Sequence, residues 1–201
     1  MSQKLKDSIG SLLTIFNISK HGAEIEGLQT GITTVTPPKI ETIRERIAQR
    51  LLDLSPTEFE EFIPNLLSPM GFETTTTKRV GDKGFDIIGT LTTEGVATIN
   101  LKVQVKRYRN TPIGIDEILR IRGTLAADEH GAFITTSTYT KQAQEEAQDT
   151  GKKPIALIYR DLLVDLVLKH FDDLDTKYQA FLGRWKKEIP LEGRFELLVQ
   201  S

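Results

Sequence analysis

Three polar residues stand where a strand interior favours apolar ones. Residues 98–106 read TINLKVQVK, so Leu101, Val103 and Val105 share one face of a strand and Lys102, Gln104 and Lys106 the other. The first face belongs to a core. The second sets an amide between two ammonium groups, and polar residues in such a position are often functional. Asp86 joins them if the preceding segment folds back as a hairpin. Pairing residues 86 and 104 puts the midpoint at Gly95, and an odd-length loop centred on glycine is a common connection. In that register Asp86 faces Gln104 directly, with Cβ atoms about 4.5–5.5 Å apart, and Lys106 lies one step along the same face. A two-residue turn at Glu94-Gly95 would oppose Asp86 to apolar Val103 instead, so the pattern prefers the odd loop. An acid, an amide oxygen and an ammonium converging in this way can hold Mg²⁺ and a water against a phosphodiester.

The elements around this set read in order. Ser55-Pro56-Thr57-Glu58 is a capping box with proline at the first helical position. Phe59, Phe62, Ile63, Leu66, Leu67 and Met70 give that helix its apolar face, Pro64 is expected to kink it, and Gly71 to end it. Strands are expected at about 72–79, 85–92 and 98–106, a helix at 114–128, and an apolar strand at 131–136. Thr140 caps a helix carrying Ala143 and Ala147 and closing at Gly151. A strand at 155–159 and a helix at 160–170 follow. The order is α-β-β-β-α-β-α-β-α, a mixed α/β sheet flanked by helices.

On either side lie helical patterns. Residues 4–16 suit a short helix, and Gly27 to Pro38 is rich in Gly, Thr and Pro. Ile40, Ile43, Ile47, Leu51 and Leu54 form an amphipathic stripe after Pro37-Pro38. Phe171, Leu174, Tyr178, Phe181, Leu182 and Trp185 repeat at helical spacing until Pro190. The chain therefore divides into a helical extension at 1–54, an α/β unit at 55–170 and a helical extension at 171–201.

The run Gly81-Asp82-Lys83-Gly84-Phe85-Asp86-Ile87-Ile88, followed by Val103-Gln104-Val105-Lys106-Arg107-Tyr108, resembles the Mrr-like restriction endonuclease family. That family is a branch of the PD-(D/E)xK nucleases with Gln in place of the second acid. The likeness continues through Phe59-Glu60, Ile113-Gly114, Glu117-Ile118, Gly123, Thr135-Thr136-Ser137, Tyr139-Thr140, Ala143 and Ala147, and covers about residues 55–168. It implies a restriction-endonuclease-like fold and divalent-metal hydrolysis of DNA, with Mg²⁺ or Mn²⁺ as the ion. By that resemblance Asp86 is the metal-binding acid, Gln104 the second ligand position, Lys106 the residue that orients water, and Glu60 a supporting acid from the opening helix. Pro64 and Phe85 depart from the family's usual pattern. Residues 1–54 do not resemble its usual DNA-binding companion domain.

Composition bounds the rest. The 201 residues carry 26 basic and 28 acidic side chains for a net charge of −2, which argues against a general coat for polyanions. Yet Lys78, Arg79, Lys83, Lys102, Lys106, Arg107 and Arg109 cluster against only Asp82, Asp86 and Glu94. Double-stranded DNA is the expected partner, with Lys83, Arg107, Tyr108, Arg109, Thr135, Thr136 and Ser137 as candidate contacts. With no cysteine there is no disulfide and no thiolate nucleophile or ligand. No apolar run is long enough to span a membrane and no signal-type segment opens the chain, so a cytoplasmic protein is expected. His21, His130 and His170 share no ligand spacing, and no Walker A loop is present. The sequence thus reads as a Mg²⁺-dependent endodeoxyribonuclease in defence against modified or foreign DNA. A homodimer or higher assembly is expected through the 40–54 and C-terminal apolar stripes. Two other readings stay open: a catalytically silent DNA-binding or effector scaffold of the same fold, and a nuclease for RNA or branched DNA.

Overall fold

In the computed structural model, residues 37–77, 84–93 and 97–183 are described; the expected helix at 4–16, Lys83, Gly95 and Trp185 lie outside them. Helices α1 (Pro37–Asp53) and α2 (Pro56–Leu67) precede strands β1 (Glu73–Thr76), β2 (Ile87–Thr93) and β3 (Ala97–Lys106). Then come α3 (Ile115–Gly123), β4 (Glu129–Thr135), α4 (Lys141–Gln148), β5 (Ile155–Ile158), α5 (Arg160–His170) and α6 (Thr176–Leu182). The sheet order is β1-β2-β3-β4-β5, antiparallel from β1 to β3 and parallel from β3 to β5.

Local chemistry accounts for most boundaries. Ser55 Oγ accepts from the Glu58 N–H at 3.2 Å while Glu58 Oε2 accepts from the Ser55 N–H at 2.7 Å, which closes the capping box on α2. Helix α2 runs through Pro64, and Gly71, at φ 94°, ends the following turn. The β2–β3 hairpin pairs Ile87 with Val103 and Thr93 with Ala97, the register expected from Gly95. Helix α3 stops at Gly123, shorter than the expected 114–128. The carbonyls beyond its end are captured from a distance, Thr124 O by Lys102 Nζ at 2.6 Å and Leu125 O by Lys153 Nζ at 2.9 Å. Thr77, expected inside β1, instead turns its side chain to the residues before β2.

Two cores sandwich the sheet. Val103, Val105 and Ile134 pack with α1, α2, α5 and α6 on one face; Phe133 and Leu157 pack with Ile118, Ile121, Ala143 and Ala147 on the other. The first core includes Ile43, Ile47 and Leu51 of α1 and Tyr178 and Leu182 of α6. Each such side chain contributes about 1.5–3 kcal/mol on burial, so both helices belong to the folding unit. The ring of Phe62 meets Tyr178 edge-on at 5.0 Å, and Arg44 pairs with Asp165 across the α1–α5 contact. The expected boundaries at 54/55 and 170/171 therefore do not separate packing units. Of the stripes expected to serve a dimer, the described residues Ile43, Ile47, Leu51, Leu54, Phe171, Leu174, Tyr178 and Leu182 lie in this core. An amphipathic helix needs an apolar partner, and its own pattern does not say whether that partner is the same chain.

His170, at the C-terminal end of α5, is buried with Nε2 lacking a partner. Burial, seconded by the charge of Lys169 and opposed by Asp173, holds its pKa below the ordinary 6.5. The unfolded chain therefore binds the proton more readily than the folded one. Stability is full above the unfolded-state pKa and falls as pH drops through it, levelling off below the folded-state value. His170→Leu is predicted to gain stability relative to wild type as pH is lowered from about 8 to about 5.5, measured by urea unfolding. A difference between the two proteins that is constant with pH would count against this assignment.

Candidate active site

Asp86 sits just before β2, its main chain still bonded to the neighbouring segments on both sides. Gly84 adopts φ 75°, and a Cβ there would lie 3.0 Å from Thr124 Cγ2 and 3.3 Å from Arg120 Cγ, so this approach to α3 requires glycine. Phe85 lays its ring 4.6 Å from Lys102 Nζ, a cation–π contact that accounts for an aromatic at this position. The Asp86 backbone is held from both neighbours. Its carbonyl accepts from the Thr77 N–H at 2.8 Å and Thr77 Oγ1 at 2.9 Å, and its N–H donates to Val103 O at 2.8 Å.

The Asp86 carboxylate then reaches over β3. Its Oδ2 accepts from Gln104 Nε2 at 2.6 Å and from the Val105 N–H at 2.8 Å. A carboxylate thus takes the place a ladder carbonyl would hold. Gln104 is only 7% exposed, and with Nε2 committed to Asp86 the acceptor end of its amide, Oε1, is the end free to meet a cation. Lys106 follows on the same face of β3, half-buried. Among the described residues no group of three or more His, Asp or Glu side chains is disposed to hold a metal ion. The donors here are hard oxygens on one carboxylate and one amide. That set fits Mg²⁺, which is commonly held by one or two carboxylates with waters and substrate phosphates completing its shell. Glu60 stands half-buried on α2, the helix packed against β1 and β3.

The expected DNA contacts are placed less uniformly. Tyr108 and Arg109 are exposed just beyond Lys106. Arg107 is not at an exposed strand end: its Nη1 donates to Leu52 O at 2.9 Å, satisfying a terminal carbonyl of α1. Thr135 and Thr136 are 0% and 1% exposed, and their hydroxyls donate to Lys106 O at 2.7 Å and Tyr108 O at 2.8 Å. Ser137 is buried too, its N–H donating to Thr135 Oγ1 at 3.2 Å. The Thr135 and Thr136 hydroxyls thus bond main-chain carbonyls at the strand end, and all three residues are buried.

The basic cluster is likewise divided. Lys102 pairs with Glu129 at 2.7 Å besides bonding Thr124 O. Burial works to raise the Glu129 pKa, but the hydrogen bonds from Lys102 and the Ala126 N–H and the charge of Lys102 outweigh it, and the carboxyl lies below its ordinary range. One contributor escaped the sequence reading. Thr77 looked like one more residue in a threonine run, and only the hairpin's fold-back gives its hydroxyl the Asp86 carbonyl.

Comparison with known proteins places the chain in a family. A family model described as a restriction endonuclease matches residues 51–167. The chain is 30% identical over 137 residues to the type IV methyl-directed restriction enzyme EcoKMrr of Escherichia coli (strain K12), covering 65% of this chain and 43% of that protein. The fold resembles that of the DNA modification-dependent restriction endonuclease AspBHI, with TM-score 0.55, 22% identity and coverage of 82% of this chain and 45% of the other. It also resembles the MspJI restriction endonuclease solved with a 27-mer oligonucleotide, with TM-score 0.50, 17% identity and coverage of 79% and 38%. The chain spans less than half the length of each of these relatives. With the family model matching more than half of its residues, the chain belongs to the Mrr-like restriction endonuclease family.

Proposed function

We propose that this chain is a divalent-metal-dependent DNA endonuclease, with Mg²⁺ as the working ion, acting in the cytoplasm against modified or foreign DNA. The observation that carries the reading is the convergence of Gln104 Nε2 and the Val105 N–H on one carboxylate oxygen of Asp86. A polar, preorganised corner at a strand end beside a lysine suits phosphodiester hydrolysis. The EcoKMrr and AspBHI names, methyl-directed and modification-dependent, support modified DNA as the substrate class.

In this reading Asp86 and Gln104 Oε1 hold the ion, whose chemistry is to neutralise charge on the scissile phosphate. Asp86, fixed by Thr77 and Val103, supplies a carboxylate that needs no reorganisation during reaction. Gln104 supplies an oxygen without a second negative charge, so the site is neutral enough to accept a polyanion. Lys106 orients the attacking water and offsets the charge that develops on the phosphoryl oxygens. Glu60 supports the site from α2, and Tyr108 and Arg109 meet the duplex beyond it. A double-strand break needs two such sites, so two copies act together on the duplex.

Two measurements test the reading. Wild type is predicted to nick methylated plasmid with Mg²⁺ or Mn²⁺. Asp86→Asn and Lys106→Ala should each lose activity on the order of 10²-fold or more, with Lys106→Ala alone also weakening DNA binding. Retained duplex binding without nicking under any condition would favour a silent scaffold. The second measurement is calorimetric titration of Mg²⁺ without DNA. Gln104→Glu sets a second carboxylate oxygen against Asp86 Oδ2, so this variant should bind Mg²⁺ more tightly than wild type. Equal affinity would remove Gln104 from the ligand set.

A further inference from the structure

The main-chain pairing of β3 ends at its last residue, and that residue is Lys106. The β3–β4 register closes at Lys106 opposite Thr135, and β2 pairs no further along β3 than Val103. A strand that simply frayed here would leave Lys106 on a mobile end. It does not fray, because side chains replace the lost ladder on both edges. On the β2 edge, Asp86 Oδ2 accepts the Val105 N–H. On the β4 edge, Thr135 Oγ1 donates to Lys106 O and Thr136 Oγ1 donates to Tyr108 O, at 2.7 and 2.8 Å. The carbonyls of residues 106 and 108 are thus both taken by hydroxyls from the end of β4, which continue the contact between the two segments past the last ladder pair.

Both hydroxyls are well suited to fixing a position. Thr135 Oγ1 is also the acceptor of the Ser137 N–H at 3.2 Å, so its proton is directed at Lys106 O and has no other role. Both residues are essentially inaccessible, which excludes competition from water. Between the two clamped carbonyls, Arg107 extends to Leu52 O and ties the same segment to α1. The backbone of residues 105–108 is thereby held from β2, β4 and α1 at once.

Resting on the nuclease reading above, we infer that Thr135 and Thr136 are positioning residues that set the Lys106 backbone, and so aim its ammonium at the reacting phosphate. Their hydroxyls touch no DNA. They act through the two carbonyls, and a hydroxyl at each position is what the reaction needs. A displacement of about 1 Å at a reacting group can cost on the order of 10²-fold in rate. Loss of either hydroxyl is therefore expected to lower the rate of the chemical step tenfold or more, while leaving DNA affinity unchanged within about twofold because no phosphate contact is lost.

The test is single-turnover nicking of methylated plasmid by wild type, Thr135→Val, Thr136→Val, Thr135→Ser and Thr136→Ser, with melting temperature and DNA affinity measured for each. Valine keeps the shape and removes the hydroxyl; serine keeps the hydroxyl and removes a buried methyl. The inference expects rate to follow the hydroxyl: slow in the valine variants, near wild type in the serine variants, whatever the order of their melting temperatures. If a valine variant is not recovered folded, cysteine at that position, a weaker donor of similar size, takes its place with the same expectation. Valine variants as fast as wild type, or rates that fall in step with melting temperature, would overturn the inference and leave the nuclease reading standing. A wild type that never nicks would overturn that reading, and this inference with it.

Discussion

The Asp86 carboxylate bonded across the end of the sheet is the constraint on which the site depends. A strand ladder normally ends where a chain turns away, and its last donors go to water. Here Oδ2 accepts a side-chain amide and a main-chain N–H of β3 together. One carboxylate thus positions Gln104 and extends the strand by the residue that precedes Lys106. Burial of the Gln104 amide is tolerable because its N–H is used, since an unpaired amide in this place would cost roughly 1–3 kcal/mol. The bond that stabilises the strand end is also the bond that orders the site.

Everything else at this end of the sheet keeps that contact in register. Thr77 clamps Asp86 from just beyond β1, and Gly84 passes close against the end of α3. Lys102 does three jobs at once, pairing with Glu129, capping a carbonyl beyond α3 and covering Phe85. Arg107 joins the strand end to α1, a helix whose apolar side lies in the main core. The site therefore sits where the parallel pairing of β3 and β4 ends, tied to the main core through α1.

Much of this was legible in the sequence, and for identifiable reasons. The alternation through residues 98–106 separated a core face from a polar one, and the odd hairpin centred on Gly95 gave the register that pairs Ile87 with Val103 and leaves Asp86 within side-chain reach of Gln104. Both inferences rest on period-two geometry, which is local and strict. The capping box at Ser55 was equally local. What was not legible depends on partners distant in sequence. Helix α3 stops early, and the carbonyls beyond its end bond Lys102 and Lys153 instead. The apolar stripes of α1 and α6 were visible, but their destination inside the core was not. Thr135, Thr136 and Arg107 have side chains that suit a phosphate or a backbone carbonyl equally well, and composition does not choose between them. Only their burial against β3 and α1 does so.

The central claim is that Asp86 and Gln104 together form the place where a cation meets the scissile phosphate. The most direct measurement is a crystal structure of the protein with Mn²⁺ and a short DNA duplex, read by anomalous scattering. The account predicts one metal peak bound by an Asp86 carboxylate oxygen and Gln104 Oε1 at about 2.0–2.3 Å, with a phosphate oxygen in its shell and Lys106 facing that phosphate. A metal peak on other side chains, with the Asp86–Gln104 hydrogen bond unchanged beside it, would contradict the account.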